Sequence, residues 1–152
     1  MNLSNHVYPL PGFRFSITLE KIFELPNSSF MEAYGFGAQI QLEEVQSGGQ
    51  NGYKYQLPGN STFSNLVLKQ GILPVDSPLE KWCMKTILYG ASEGIEPLPL
   101  TLHLMNDQGK PARSWSFTEA YPVKYQTSEF KSTDNSVAVE TVEFAYKYFK
   151  SL

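Results

Sequence analysis

GGQNGYKYQLPGNSTFSNLVLKQG, residues 48–71, decides how this chain is read. Gly48, Gly49, Asn51 and Gly52 crowd its first five positions, and that density selects backbone angles other residues resist. It marks a loop tip rather than a helix. The aromatic-basic run Tyr53-Lys54-Tyr55 follows, and Leu57-Pro58-Gly59 is expected to turn the chain again. Asn65-Leu66-Val67-Leu68-Lys69, closed by Gly71, has strand character. The expectation is a mobile arm over 48–59 tethered to a rigid strand at 63–70. The arm is not a phosphate cradle, because Gly52 leads into Tyr53 and a strand-like run rather than Gly-Lys-Ser/Thr opening a helix.

Outward from this stretch the pattern is β. Before it, Phe13, Phe15, Ile17 and Leu19 alternate with polar residues, as do Phe36, Ala38, Ile40 and Leu42. Residues 1–12 read as an extended lead-in and 24–29 as a turn. After it comes one helix, capped by Asp76 or Ser77, with Pro78 in its first turn and Glu80 favouring its dipole. Leu79, Trp82, Cys83, Thr86 and Ile87 fall on one stripe, expected to face the core. Leu98, Leu100, Leu102 and Leu104 alternate in a further strand. Asn106-Asp107-Gln108-Gly109 is a hairpin turn into Arg113–Thr118. Pro122 within the strand Ala120–Tyr125 requires an edge or a bulge. A final strand over 137–149 places Glu140, Val142, Phe144, Tyr146 and Tyr148 on one face. About seven or eight strands and one helix predict a mainly β fold, a small β-barrel or two-sheet sandwich with a flanking helix.

At 152 residues the chain is expected to be a single domain spanning 1–152. Charged residues make up 18%, below the ~25% of an average soluble protein, which leaves apolar surface for contacts with other chains. The net charge of −3 argues against a nucleic-acid binder. No apolar run approaches the ~20 residues of a membrane helix, and the N-terminus lacks the features of a signal peptide. The chain is expected to be made in the cytoplasm and to leave, if it does, by a route other than the general secretory pathway.

Catalytic chemistry finds little support. His6 and His103 have no second ligand at metal-binding spacing, so no metal site is expected. His103 reads as a surface or interface histidine. Cys83 lies on the buried stripe and reads as a small core residue rather than a nucleophile. Glu43 and Glu44 point to opposite strand faces and form no carboxylate pair. No cofactor and no enzymatic activity are expected. Tyr53, Tyr55, Tyr121, Tyr125, Tyr146 and Tyr148 could stack on sugars, so a monomeric carbohydrate- or small-ligand-binding β module is the rival. The simpler reading is that they cover sheet faces and subunit interfaces.

The order of landmarks resembles the inner-tube proteins of contractile phage tails and contractile injection systems. Those landmarks are Pro11–Phe15, Glu43-Glu44, GGQNGYKYQLPG, NLVLKQG, Trp82-Cys83, the Asn-Asp-Gln-Gly turn, Trp115-Ser116-Phe117, Ala120–Lys124 and Val139–Phe144. The resemblance implies a structural protein whose copies form hexameric rings that stack into a tube. Its partners would then be itself, adjacent tube rings, spike or hub and baseplate proteins, and a surrounding sheath. It would sit in an injection particle or virion tail. Inter-subunit contacts would fall at Pro9, Pro11 and Phe13, at Gly48, Gly49, Asn51, Gly52, Tyr53, Tyr55, Leu57, Pro58 and Gly59, and at Tyr146, Tyr148 and Phe149. The Trp82-Cys83 helix and the Ala145–Phe149 ending resemble the baseplate-proximal member that initiates the tube, with the bulk tube subunit as the alternative.

Overall fold

A computed structural model describes residues 14–19, 30–46, 54–71, 77–128 and 139–152. The elements are β1 (Arg14–Leu19), β2 (Glu32–Tyr34), β3 (Gly37–Gln46), β4 (Lys54–Ser64), β5 (Leu66–Gly71), α1 (Pro78–Glu93), β6 (Leu98–Met105), β7 (Pro111–Thr127), β8 (Val139–Ala145) and β9 (Tyr148–Ser151). Seven strands run in the order β1-β6-β7-β8-β5-β2, with β9 also on β7, while β3 and β4 form a separate two-stranded sheet. Among the described residues every ladder between these strands is antiparallel.

The strand β7 belongs to two layers. Its first half pairs with β6 and β9, its second half with β8. The corner falls at Glu119, whose φ of 52° lies in the left-handed region, beside a register shift opposite Pro99. The chain changes layer again between β8 and β9, where the Lys147 amide bonds the Thr118 carbonyl at 2.9 Å. The result is a sandwich rather than a closed barrel. Its edge strands approach at one bridge, between Phe15 and Phe30. Pro122 is accommodated by a bulge at Val123, since Pro122 faces Phe144 and Lys124 already faces Glu143.

The alternation read from sequence fills the core. Ile17 and Leu19 come from β1, Leu98, Leu100 and Leu102 from β6, Phe117 and Ala120 from β7, Leu66 and Leu68 from β5, and Val142 and Phe144 from β8. Turn chemistry holds as expected at 106–109: the Asn106 side chain accepts from the Gln108 and Lys110 amides, and Gly109 has φ +75°. Ser77 occupies the N-cap position, but its side chain makes no capping bond; the Lys81 amide bonds its carbonyl at 3.0 Å.

Four local expectations are corrected. Leu57-Pro58-Gly59 is not a turn but part of β4, where Gly59 and Asn60 together oppose Gln41. A Cβ on Gly59 would approach the Gln41 carbonyl oxygen to 3.1 Å, which suits glycine to this bulge. The strand expected at 63–70 is broken at Asn65. Ile87 is 40% exposed, because the buried helix residues Leu79, Trp82 and Cys83 all lie in the first two turns and the rest of α1 overhangs the sandwich. Finally, the strand over 137–149 breaks at Tyr146-Lys147, so Phe149 rather than Tyr148 packs on the core.

Candidate assembly surface: the hairpin and its aromatic root

β3 and β4 pair as a long antiparallel hairpin; residues 47–53 between them lie outside the described residues. Register places Ile40 and Leu42 on one face, with Ser61 and Pro58, and Glu43, Val45 and Leu57 on the other. Ile40 (47%), Leu42 (55%), Val45 (42%) and Leu57 (49%) are all substantially exposed. An isolated two-stranded hairpin is marginally stable in water, and apolar side chains on both faces gain nothing from a sandwich they do not touch. The ribbon thus presents apolar side chains to solvent on both of its faces.

Its root is fixed tightly. Gly35 (φ +86°) turns β2 into β3, and a Cβ there would lie 2.9 Å from the Asn65 carbonyl oxygen, so only glycine fits without a shift. The Ser64 hydroxyl donates to the Gly35 carbonyl at 2.6 Å, and the Tyr146 hydroxyl donates to the Ser64 carbonyl. Phe36 meets Trp115, Phe117 and Phe149 edge-on with ring centroids 5.3–5.5 Å apart. Phe63 meets Tyr146 and Phe149 similarly. Burial raises the Tyr146 phenol above its usual range.

This geometry sorts the sequence-derived contact residues. Leu57, Pro58 and Gly59 lie on the exposed hairpin. Tyr55 lies on the β4 backbone opposite Val45. Tyr146 and Phe149 belong to the aromatic root, turned inward, whereas Tyr148 is exposed beside Lys150. Pro9, Pro11, Phe13, Gly48, Gly49, Asn51, Gly52 and Tyr53 lie outside the described residues. Sequence reading missed the root partners Phe36 and Phe63. It also missed the overhanging helix face, where Leu88 is 60% exposed, and beside it a groove of about 520 Å³ lined by the exposed Tyr89 and Ile95 with Lys81, Trp82 and Lys85. The signal was present: Ile87-Leu88-Tyr89 widens the apolar stripe beyond what one packed face needs.

The remaining reactive groups are occupied structurally. Burial, then the Glu80 charge, pushes the Cys83 thiol up to about 12, so it stays protonated in the core. His103 lies within bonding distance of the Ser114 hydroxyl (2.7 Å, Nδ1) and the Thr18 hydroxyl (3.2 Å, Nε2), and burial lowers its pKa. It serves to cross-link β1, β6 and β7 as a neutral ring.

The described residues thus form an antiparallel sandwich with an outlying hairpin and an overhanging helix. Residues 11–150 match the family model of the T4-like virus tail tube protein gp19, and the chain belongs to that family. Among solved structures, a chain of the anti-feeding prophage baseplate superposes with a TM-score of 0.74 at 22% identity, covering 92% of this chain and 91% of that one. A chain of the extended sheath–tube complex of an extracellular contractile injection system (PVC) also gives 0.74, at 23% identity, with 97% and 93% covered. Hcp1 from Salmonella typhimurium gives 0.55 at 16% identity, with 93% and 86% covered. No curated protein sequence matches. The chain is thus a tail tube-like protein of that family, and it shares its fold with tube and baseplate chains of contractile injection systems.

Proposed function

We propose that this chain works by geometry alone, as a ring-forming subunit of the inner tube, without catalytic activity. The observation that carries the reading is the hairpin with apolar residues exposed on both faces, in a chain of the tail-tube family. A head-to-tail contact needs two different complementary surfaces on each copy and closes into a ring when its rotation allows. The hairpin and the exposed face of α1 are two such surfaces. The contact is proposed to use Leu57, Pro58 and Gly59 with Tyr55 and the tip residues Gly48, Gly49, Asn51, Gly52 and Tyr53, flanked by Pro9, Pro11, Phe13 and Tyr148. Tyr146 and Phe149 act from below, by holding the hairpin's root.

Closure is proposed at six copies, with rings stacked on one another and enclosed by a sheath. The baseplate-proximal start of the tube is the favoured position, on the likeness of the Trp82-Cys83 helix and the Ala145–Phe149 ending to that member. The whole of 1–152 acts as one domain in this reading.

Negative-stain microscopy of the purified protein tests the class: discs with a central hole are expected, and a monodisperse monomer at all concentrations sinks the proposal. Deleting 48–52 is expected to leave a folded monomer that no longer forms rings. Rings that persist in that variant remove the arm from the mechanism. Immunogold labelling of whole particles tests position, with label confined to the spike end expected and label along the whole tube favouring the bulk subunit.

A further inference from the structure

We propose that the groove along α1 is the seat for the hairpin of a second copy, with the Glu43–Val45–Leu57 face of the ribbon laid against it. This rests on the ring-forming function proposed for the chain and names the two surfaces that meet. The groove follows one stripe of the helix. Lys81, Lys85, Tyr89 and Glu93 recur every four residues along it, with Ile95 and Glu96 at its far end. Residues four apart are neighbours on a helix face, so the stripe reads basic, basic, aromatic, acidic from start to finish. Its lysines stand at one end and its carboxylates at the other.

One face of the ribbon carries the complementary order. Leu57 lies directly across from Glu43, and Val45 is the next residue on that face away from the hairpin root. All three are exposed. A strand advances roughly 6–7 Å from Glu43 to Val45, and a helix about 6 Å from Lys85 to Tyr89. Glu43 set against Lys85 therefore brings Val45 level with Tyr89, with Leu57 beside the lysine's aliphatic stem. The charges also fix the direction. Reversed along the groove, Glu43 would meet Glu93 and Glu96 instead of the lysines. Among the described residues no ion pair engages Glu43 or Lys85, whereas Lys81, and Glu44 on the ribbon's opposite face, have interactions of their own. Burial of Val45, Leu57, Tyr89 and Ile95 supplies the attraction, and the charge order supplies register and direction. An unrelated acidic peptide would satisfy Lys85 alone. A second copy brings the anion and the apolar pair at the right spacing, and its own groove stays open for a third, as a head-to-tail contact requires.

Sedimentation velocity and negative-stain microscopy of the full chain come first, with rings expected. Lys85→Glu and Glu43→Lys change exposed residues, so both variants are expected to fold. Each should weaken self-association roughly three- to ten-fold, and the double reversal should recover most of the loss. Val45→Cys co-expressed with Thr86→Cys, on the groove wall, is expected to give a disulfide-linked dimer on oxidation, while neither variant links to itself. The native Cys83 is buried and takes no part. Rings that form without that cross-link, or single reversals that leave association unchanged, overturn the seat and leave the ring function standing. A Val45→Cys variant that links to itself shows ribbon pairing with ribbon, and overturns the seat as well. A chain that stays monomeric at every concentration removes the ring function and the seat together.

Discussion

The strands β4 and β5 are one run of chain interrupted at Asn65, yet they live in different worlds. Leu66 and Leu68 are completely buried in the sandwich, while Leu57, a few residues earlier, is half exposed on the hairpin. Both segments are antiparallel and paired throughout. The difference is what covers them: β5 lies between β2 and β8 under the core, and β4 pairs with β3 alone. An apolar residue in a strand is thus not by itself a core residue. In this protein the uncovered portion is where the contacts with other copies are proposed to lie.

The strongest way to break that comparison is a pair of leucines. Leu68→Ala is expected to cost about 2–5 kcal/mol of protomer stability, through lost burial and a residual cavity. Leu57→Ala should change protomer stability by no more than ~0.5 kcal/mol while weakening self-association. Chemical denaturation with sedimentation velocity measures both; equal destabilisation by the two would erase the distinction. Gly35→Ala comes next, because it strains a positive-φ position against the Asn65 carbonyl, and about 1–3 kcal/mol of stability should be lost with the hairpin root loosened. Hydrogen exchange should then rise in β3 and β4 before it rises in β5.

Alkaline pH probes the buried side. Because the folded Cys83 thiol is raised from 9.0 to about 12, the unfolded chain loses its proton first. Stability is therefore full below about pH 9 and falls as pH climbs towards 12, by about 1.4 kcal/mol per unit. Cys83→Ala should flatten this slope, and a slope that survives unchanged would assign it elsewhere. A smaller loss than from Leu68→Ala or Gly35→Ala is expected from Tyr146→Phe, which removes the bond to the Ser64 carbonyl and costs about 1 kcal/mol. It sharpens the comparison if exchange increases at the hairpin root while the β6–β7 ladder keeps its protection.

Much of the fold was legible because its signals are local. Period-two alternation placed β1 and β6, the Pro78–Glu80 start placed α1, and the Asn106–Gly109 turn follows from side-chain bonds to its own backbone. The proline at 122 announced its bulge. The candidate surface was legible only in part. Leu57, Pro58 and Gly59 lie on the exposed hairpin, in a strand with a bulge at Gly59-Asn60 where the sequence predicts a turn, since a proline-glycine pair punctuates either. Tyr146 and Phe149 were read as contact residues, and Phe36 and Phe63 were not singled out. Their cluster forms only when chain segments distant in sequence meet at the layer change.

The amino-acid sequence by itself determined that the chain is β-rich, where its strands alternate and where its helix begins, because propensity, periodicity and turn chemistry act over a few residues; the family followed from the resemblance of its landmarks to known tube proteins. Only the tertiary structure decided that β7 bends at Glu119 to serve two layers, that α1 overhangs beyond Cys83, and that the hairpin stands outside the core. Those outcomes depend on which surfaces find partners within the protomer, and burial is a property of the packed whole rather than of any stretch of chain.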